Sequence, residues 1–80
     1  MKLLSFDSHA SYRIRVQGQL DPSWSDRLEG LHICPAEPES LPPVMILEGE
    51  LPDQAALIGV LNTLYDLHLT LLSVDCTNAV

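Results

Sequence analysis

An unbroken alternation of apolar and polar side chains at 12–17, Tyr-Arg-Ile-Arg-Val-Gln, constrains this chain more than any other feature. Successive side chains of a β-strand point to opposite faces, so a period of two residues indicates a strand with one buried face. We therefore predict a strand at 11–20 whose apolar side packs on a core. The arginines of that strand then lie on the other side of the sheet.

Helix signals stand at two further places. Asp21 followed by Pro22 is typical of a helix start and Gly30 of a helix stop, so a helix of two turns is expected between them. Asp53 supplies a second N-cap, for a principal helix at 53–67. The apolar stripe of this helix contains Leu57, Val60, Leu61 and Leu64.

Two residues of the second helical region are unusual. Gly59 lies inside the helix, where it costs about 1 kcal/mol relative to alanine, so we expect another backbone to pass close to it. His68 stands where a helix-ending glycine is usual, and histidine tolerates the left-handed conformation better than a branched residue.

Three more strands are expected, at 31–34, 44–51 and 69–74. Pro35 ends the first of them and opens a loop with four prolines, which cannot donate hydrogen bonds to a sheet. The resulting order is strand, helix, strand, strand, helix, strand. It predicts an α+β fold of the ferredoxin-like βαββαβ type, a four-stranded antiparallel sheet with two helices on one face.

The face of the sheet away from the helices is the first candidate for binding. Its candidate residues are Arg13, Arg15, Val44, Ile46 and Glu48. Two interpretations stay open for the arginines: they pair within the chain with Glu48 and Glu50, or they hold an anion or an acidic peptide. Val44 and Ile46 are expected to be exposed beside them, which suggests a contact surface.

The principal helix offers a second candidate surface, because Ile58 and Tyr65 fall outside its main apolar stripe. Either the short first helix packs on them or a second subunit does. A two-fold dimer would enlarge the small core of an 80-residue chain, so we predict a homodimer.

Residues that could carry chemistry are sparse. His32 and Cys34 share one face of a strand and could begin a metal site or a thiol and base pair, but two groups on one strand are ordinary edge residues just as well. Trp24 reads as a core anchor of the first helix. We predict no enzyme activity, no metal and no cofactor.

The charge balance narrows the choice of partners. Eleven acidic and four basic side chains give a net charge of −7, which repels phosphate backbones, so no nucleic acid is expected. The apolar runs are too short for a signal peptide or a membrane span, and two widely spaced cysteines favour free thiols, so a cytoplasmic protein is expected. Residues 1–10 are interpreted as a flexible leader, 11–75 as a single domain and 76–80 as a polar tail.

Two short sequence motifs resemble those of a known group of proteins. Leu-Asp-Pro-x-Trp-Ser at 20–25 and Asp-Gln-Ala-Ala-Leu-x-Gly at 53–59 resemble those of a group of short stand-alone bacterial proteins without assigned function. Typical members have glycine in place of His68 and proline in place of Thr70. The resemblance implies a bacterial protein of one domain and brings no catalytic residue with it.

Three functions remain as hypotheses. The first is a non-enzymatic protein-interaction or accessory module that acts as a homodimer, on its own copies or on another protein. The second is a small-ligand-sensing regulatory domain that binds a metabolite near Arg13, Arg15 or the loop at 19–24. The third, an enzyme that uses Cys34 and His32, has the least support.

Overall fold

A computed structural model describes residues 10–37, 39 and 41–77. Its elements are β1 Ala10–Gln17, a 3-10 helix Pro22–Leu28, β2 His32–Glu37, β3 Val44–Leu51, α1 Gln54–Asp66 and β4 Thr70–Cys76. The four strands form one antiparallel sheet in the order β2-β3-β1-β4. Of the expected leader, Ala10 already belongs to β1 and the residues before it lie outside the described part. Of the expected tail, Cys76 ends β4 and residues 78–80 are likewise outside.

The predicted α+β class, the four-stranded antiparallel sheet and the two helices are confirmed, but the ferredoxin-like βαββαβ topology is wrong, because the segment between β1 and β2 is a 3-10 helix. In the described residues the only α-helix is α1, between β3 and β4. The first helical segment is a 3-10 helix because its hydrogen bonds close early. The carboxylate of Asp21 accepts from the Ser23 amide at 2.9 Å, and the Asp21 carbonyl accepts from the Trp24 amide at 3.0 Å. A seven-residue segment is too short to gain much from α-helical hydrogen bonding.

Strand β2 is longer than expected, because Pro35 does not end it. The strand continues to Glu37, with an irregularity in its pairing to β3 between Pro35 and Glu37. Proline is tolerated there because β2 is an edge strand, where a missing N–H need not break a hydrogen bond.

The core lies between one face of the sheet and the two helical segments. As predicted, Tyr12, Ile14 and Val16 are buried. The sheet register places Ile14 opposite Leu47 and Val16 opposite Met45, so β1 and β3 present matching apolar sides. The buried residues that complete this core are Ala10, Leu20, Leu28, Leu31, Ile33, Leu51, Val60 and Leu64. Trp24 packs on the core while half-buried, as its expected role requires.

Both ends of α1 follow the sequence signals. The Asp53 carboxylate accepts from the Ala56 amide at 2.8 Å, which satisfies one of the free donors of the first turn. At the other end His68 takes a left-handed conformation with φ 62°, as expected from its position. The Leu69 amide then donates to the Leu64 carbonyl at 3.2 Å, so the chain turns directly from α1 into β4.

The expected close backbone contact at Gly59 is wrong. A Cβ added at this position would meet nothing within 4 Å, and the residue is exposed on the outer side of α1.

We expect Gly59→Ala to raise the free energy of unfolding by about 0.5–1 kcal/mol, because alanine loses less backbone freedom on folding. Urea denaturation measures this gain. Gly18→Ala is the control: its Cβ would lie 2.5 Å from the Leu69 side chain and its φ is +138°, so this variant should be less stable. An unchanged or lower stability of Gly59→Ala contradicts the prediction.

Burial raises the pKa of the Tyr12 phenol above its ordinary value of 10.0, and the nearby Cys76 adds to the rise. Above about pH 10 the unfolded chain loses a phenolic proton that the folded chain keeps. The stability linked to Tyr12 is therefore fully present below about pH 10 and is lost as the pH rises toward the folded-state pKa.

Tyr12→Phe should consequently lose less unfolding free energy than the parent chain as the pH rises above about 10. Urea denaturation at several pH values measures the difference in slope. Tyr65→Phe is the matched control, since Tyr65 is 79% exposed. Equal slopes for the parent and Tyr12→Phe would show that the folded state does not hold this proton.

Candidate interaction surfaces

The open face of the sheet, away from the helices, carries the side chains that alternate with the core residues of β1 and β3. The register aligns one ionisable side chain from each strand across this face. From one edge of the sheet to the other this row reads His32, Glu48, Arg13 and Asp75. Because opposite charges stand next to each other across the strands, the row is internally complementary.

Arg13 and Glu48 are joined directly. The Arg13 Nε donates to Glu48 Oε2 at 2.7 Å, and both side chains are about half exposed. The hydrogen bond and the charge of Glu48 raise the pKa of Arg13 above its ordinary value. Arg13 therefore pairs within the chain, which is one of the two interpretations given for the arginines. Arg15 lies opposite Ile46 in the next row and is half-buried.

The expectation that Val44 and Ile46 are both exposed is wrong for Val44. The register places Val44 on the open face opposite Gln17, yet only 4% of the residue is exposed. Gln17 reaches across to the Pro42 carbonyl oxygen, with 3.5 Å between the two atoms. Ile46 is partly buried. The open face is therefore mainly polar, with less exposed apolar area beside the arginines than was expected.

A second surface lies on the helix side of the sheet, where α1 borders β4. We name it the α1–β4 strip, and its exposed apolar residues are Ile58, Tyr65, Leu71, Leu72 and Val74. Ile58 is 51% exposed, so the 3-10 helix does not cover it or Tyr65. The two helix residues of the strip were predicted as interface candidates, and the structure brings them together with three residues of β4.

Two residues of the strip meet at a small cavity. Tyr65 and Leu71 line this cavity of about 200 Å³ together with Leu61, Leu64 and Leu69, which belong to the core or pack on it. Ile58 stands one helical turn before Leu61 and two before Tyr65 on the same side of α1. The strip is thus an extension of the core that reaches the surface.

The three β4 residues of the strip were missed by sequence reasoning. The pairing of β4 with β1 shifts between Arg15 and Val16, so Leu72 is an extra residue in β4. A bulge of this kind breaks the alternation that would have assigned each side chain to a face. The signal that could have drawn attention to it is the adjacent Leu71-Leu72 pair in a strand that otherwise alternates.

A third candidate site is a cleft where the loop after β1 meets the loop before β3, beside Pro35 of β2. This cleft of about 380 Å³ is lined by Gln19, Leu20, Pro22, Pro35, Leu41, Pro43 and Met45. Leu41 stands at its rim and is 94% exposed. Part of the cleft coincides with the loop at 19–24, which was predicted as a place for a metabolite.

His32 and Cys34 lie on β2 opposite Glu48 and Ile46. Over the described ranges, no group of three or more histidine, cysteine or acidic side chains stands together in a way that could hold a metal ion. Cys34 and Cys76 lie at opposite edges of the sheet, and no disulfide joins them. Within the same ranges, no helix has the length and apolar character needed to cross a membrane.

Comparison with known proteins gives one match. Residues 11–75 fit the family model described as Domain of unknown function (DUF8691). No curated protein and no solved structure matches the chain.

Proposed function

We propose that this chain, which belongs to the DUF8691 family, is a non-enzymatic protein-interaction or accessory module that acts as a homodimer. The observation that supports the proposal is the α1–β4 strip, an apolar surface that reaches solvent. Large exposed apolar patches on small proteins commonly mark contact sites.

The size of the strip is that of an interaction surface. Its five side chains expose roughly 500 Å² of apolar area, if a large side chain presents about 150–250 Å² when fully exposed. A standard protein interface buries about 800 Å² on each partner, of which about 57% is apolar. The strip therefore supplies the apolar share of one such face.

The small size of the domain also favours assembly. A chain of 80 residues buries only about 60–65% of the surface that it exposes when unfolded. A single α-helix of 13 residues covers the described sheet only in part. A second subunit on the strip would complete the core that α1 leaves open.

We expect sedimentation equilibrium at tens of micromolar to give twice the chain mass of 8.8 kDa. The mass should fall toward 8.8 kDa on dilution if the dissociation constant is micromolar. Sodium chloride should weaken the dimer little, because apolar burial does not depend on charge pairs. A strict monomer at about 100 μM would overturn the homodimer, since an interface of standard size reaches micromolar affinity.

The cleft at the loops favours a second candidate function, a small-ligand-sensing regulatory domain. Its lining is mostly apolar, and its volume falls within the range of about 300–1,000 Å³ that small-molecule sites occupy. We expect a bound metabolite at 100 times its dissociation constant to stabilise the fold by about 2.7 kcal/mol.

A thermal-shift screen against a metabolite panel tests this second function. Leu41→Ser, at the exposed rim of the cleft, should reduce the shift without changing the melting temperature of the free protein. A shift that survives Leu41→Ser and Met45→Leu unchanged would place the ligand elsewhere. A panel without any shift removes support for ligand sensing and leaves the dimer proposal unaffected.

A further inference from the structure

We infer that two copies of this chain join along their β4 strands, antiparallel about a two-fold axis, so that the two α1–β4 strips lie side by side on the helix face of the joined sheet. The inference rests on the proposed homodimer and specifies its interface. The partner is therefore a second copy of this chain, and the contact combines strand pairing with burial of the strips.

The outer edge of β4 is suited to pairing. Within the described residues β1 is the only strand that pairs with residues 70–75 of β4. The seven residues of β4 include no proline, no lysine and no arginine, and Asp75 is its only charged residue. Natural edge strands are usually protected by such residues or by a bulge. Strand β4 has a bulge at Leu72, but residues 73–75 beyond it pair regularly with β1 and include no proline or basic residue, so this part of the edge can receive another strand.

The other edge of the sheet is protected. Strand β2 contains Pro35, which lacks a backbone donor, and its pairing becomes irregular between Pro35 and Glu37. Strand pairing between copies through β2 would therefore be weak. A contact from the β2 of one copy to the β4 of the next would also leave free edges and continue indefinitely, whereas a β4 to β4 contact closes at two copies.

Leu71 and Val74 lie on the correct side for this arrangement. The register places Val74 opposite Ile14 and Leu71 opposite Val16, and both β1 residues face the core. Leu71 is nevertheless 49% exposed, because it stands at the border of the sheet where α1 gives only partial cover. Directly opposed residues of antiparallel strands share a face, so a second β4 would bring its own apolar side chains to the same side.

The charge distribution permits two acidic copies to meet here. Of the eleven acidic residues of the chain, only Asp66 and Asp75 lie in α1 or β4. Asp75 lies opposite Arg13, so both side chains are on the open face of the sheet, away from the strip. The other nine acidic residues are outside α1 and β4, so two strips approach with little repulsion between like charges.

Lysine substitutions in the strip test the interface. Tyr65→Lys and Leu71→Lys should each raise the dimer dissociation constant at least tenfold in sedimentation equilibrium, because each places a charge in an apolar contact. Leu41→Lys is the matched control: it replaces an apolar residue that is 94% exposed outside the strip, and it should leave the dissociation constant unchanged. Far-UV circular dichroism checks that each variant is folded. Tyr65 is the safer position, because its side chain is exposed in the single chain.

Amide hydrogen exchange tests the strand pairing separately. The outward amides of 70–76 should exchange slowly in the dimer and at least tenfold faster when dilution or Tyr65→Lys produces monomers. Fast exchange of these amides in an intact dimer would overturn the joining of the β4 edges. A dimer that is unaffected by both lysine variants would place the interface elsewhere and leave the proposed homodimer standing. A parent chain that is monomeric throughout would overturn the homodimer itself.

Discussion

One α-helix must cover one face of a four-stranded sheet, and the rest of the structure follows from that constraint. Helix α1 inserts Val60 and Leu64 into the core, and the 3-10 helix adds Leu28 to the same core. Together they cover one face of the sheet. Although α1 contacts β4, its cover of this strand is incomplete, so Leu71, Leu72 and Val74 reach solvent. The α1–β4 strip is therefore a result of the short helical layer and not an isolated surface feature.

The two faces of the sheet differ in how their side chains are paired. The open face carries polar groups bonded within the chain, and the helix side carries exposed apolar groups. On the open face Arg13 and Glu48 bind each other, and Gln17 reaches a backbone carbonyl oxygen. These groups are satisfied within one copy and remain hydrated. On the helix side the strip offers apolar area that water solvates poorly. The proposed dimer therefore uses the helix side, although the sequence pattern drew attention to the open face first.

Much of the fold could be predicted from residues whose effect is local. The alternation at 12–17 defined the buried face of β1, and Asp53 and His68 marked the ends of α1 correctly. The 3-10 helix could not be distinguished from an α-helix, because the choice depends on hydrogen bonds that close one residue earlier and not on the capping residues. The burial of Val44 was missed for another reason, since the alternation places it on the open face opposite Gln17, and local sequence does not specify which groups cover it there. Interface candidates on α1 were found from helical periodicity, but those on β4 required knowledge of the bulge.

The bulge at Leu72 determines which side of the sheet the end of β4 faces. With regular pairing from Leu71 onward, Ser73 would stand opposite Ile14 and Asp75 opposite Tyr12, on the core side. The observed register instead gives those positions to Val74 and Cys76. The one extra residue in β4 thus places Val74 and Cys76 on the core side and turns Ser73 and Asp75 to the open face. Lengthening or shortening this strand by one residue would reverse that polarity, which makes β4 far less tolerant of insertions and deletions than the proline-rich loop before β3.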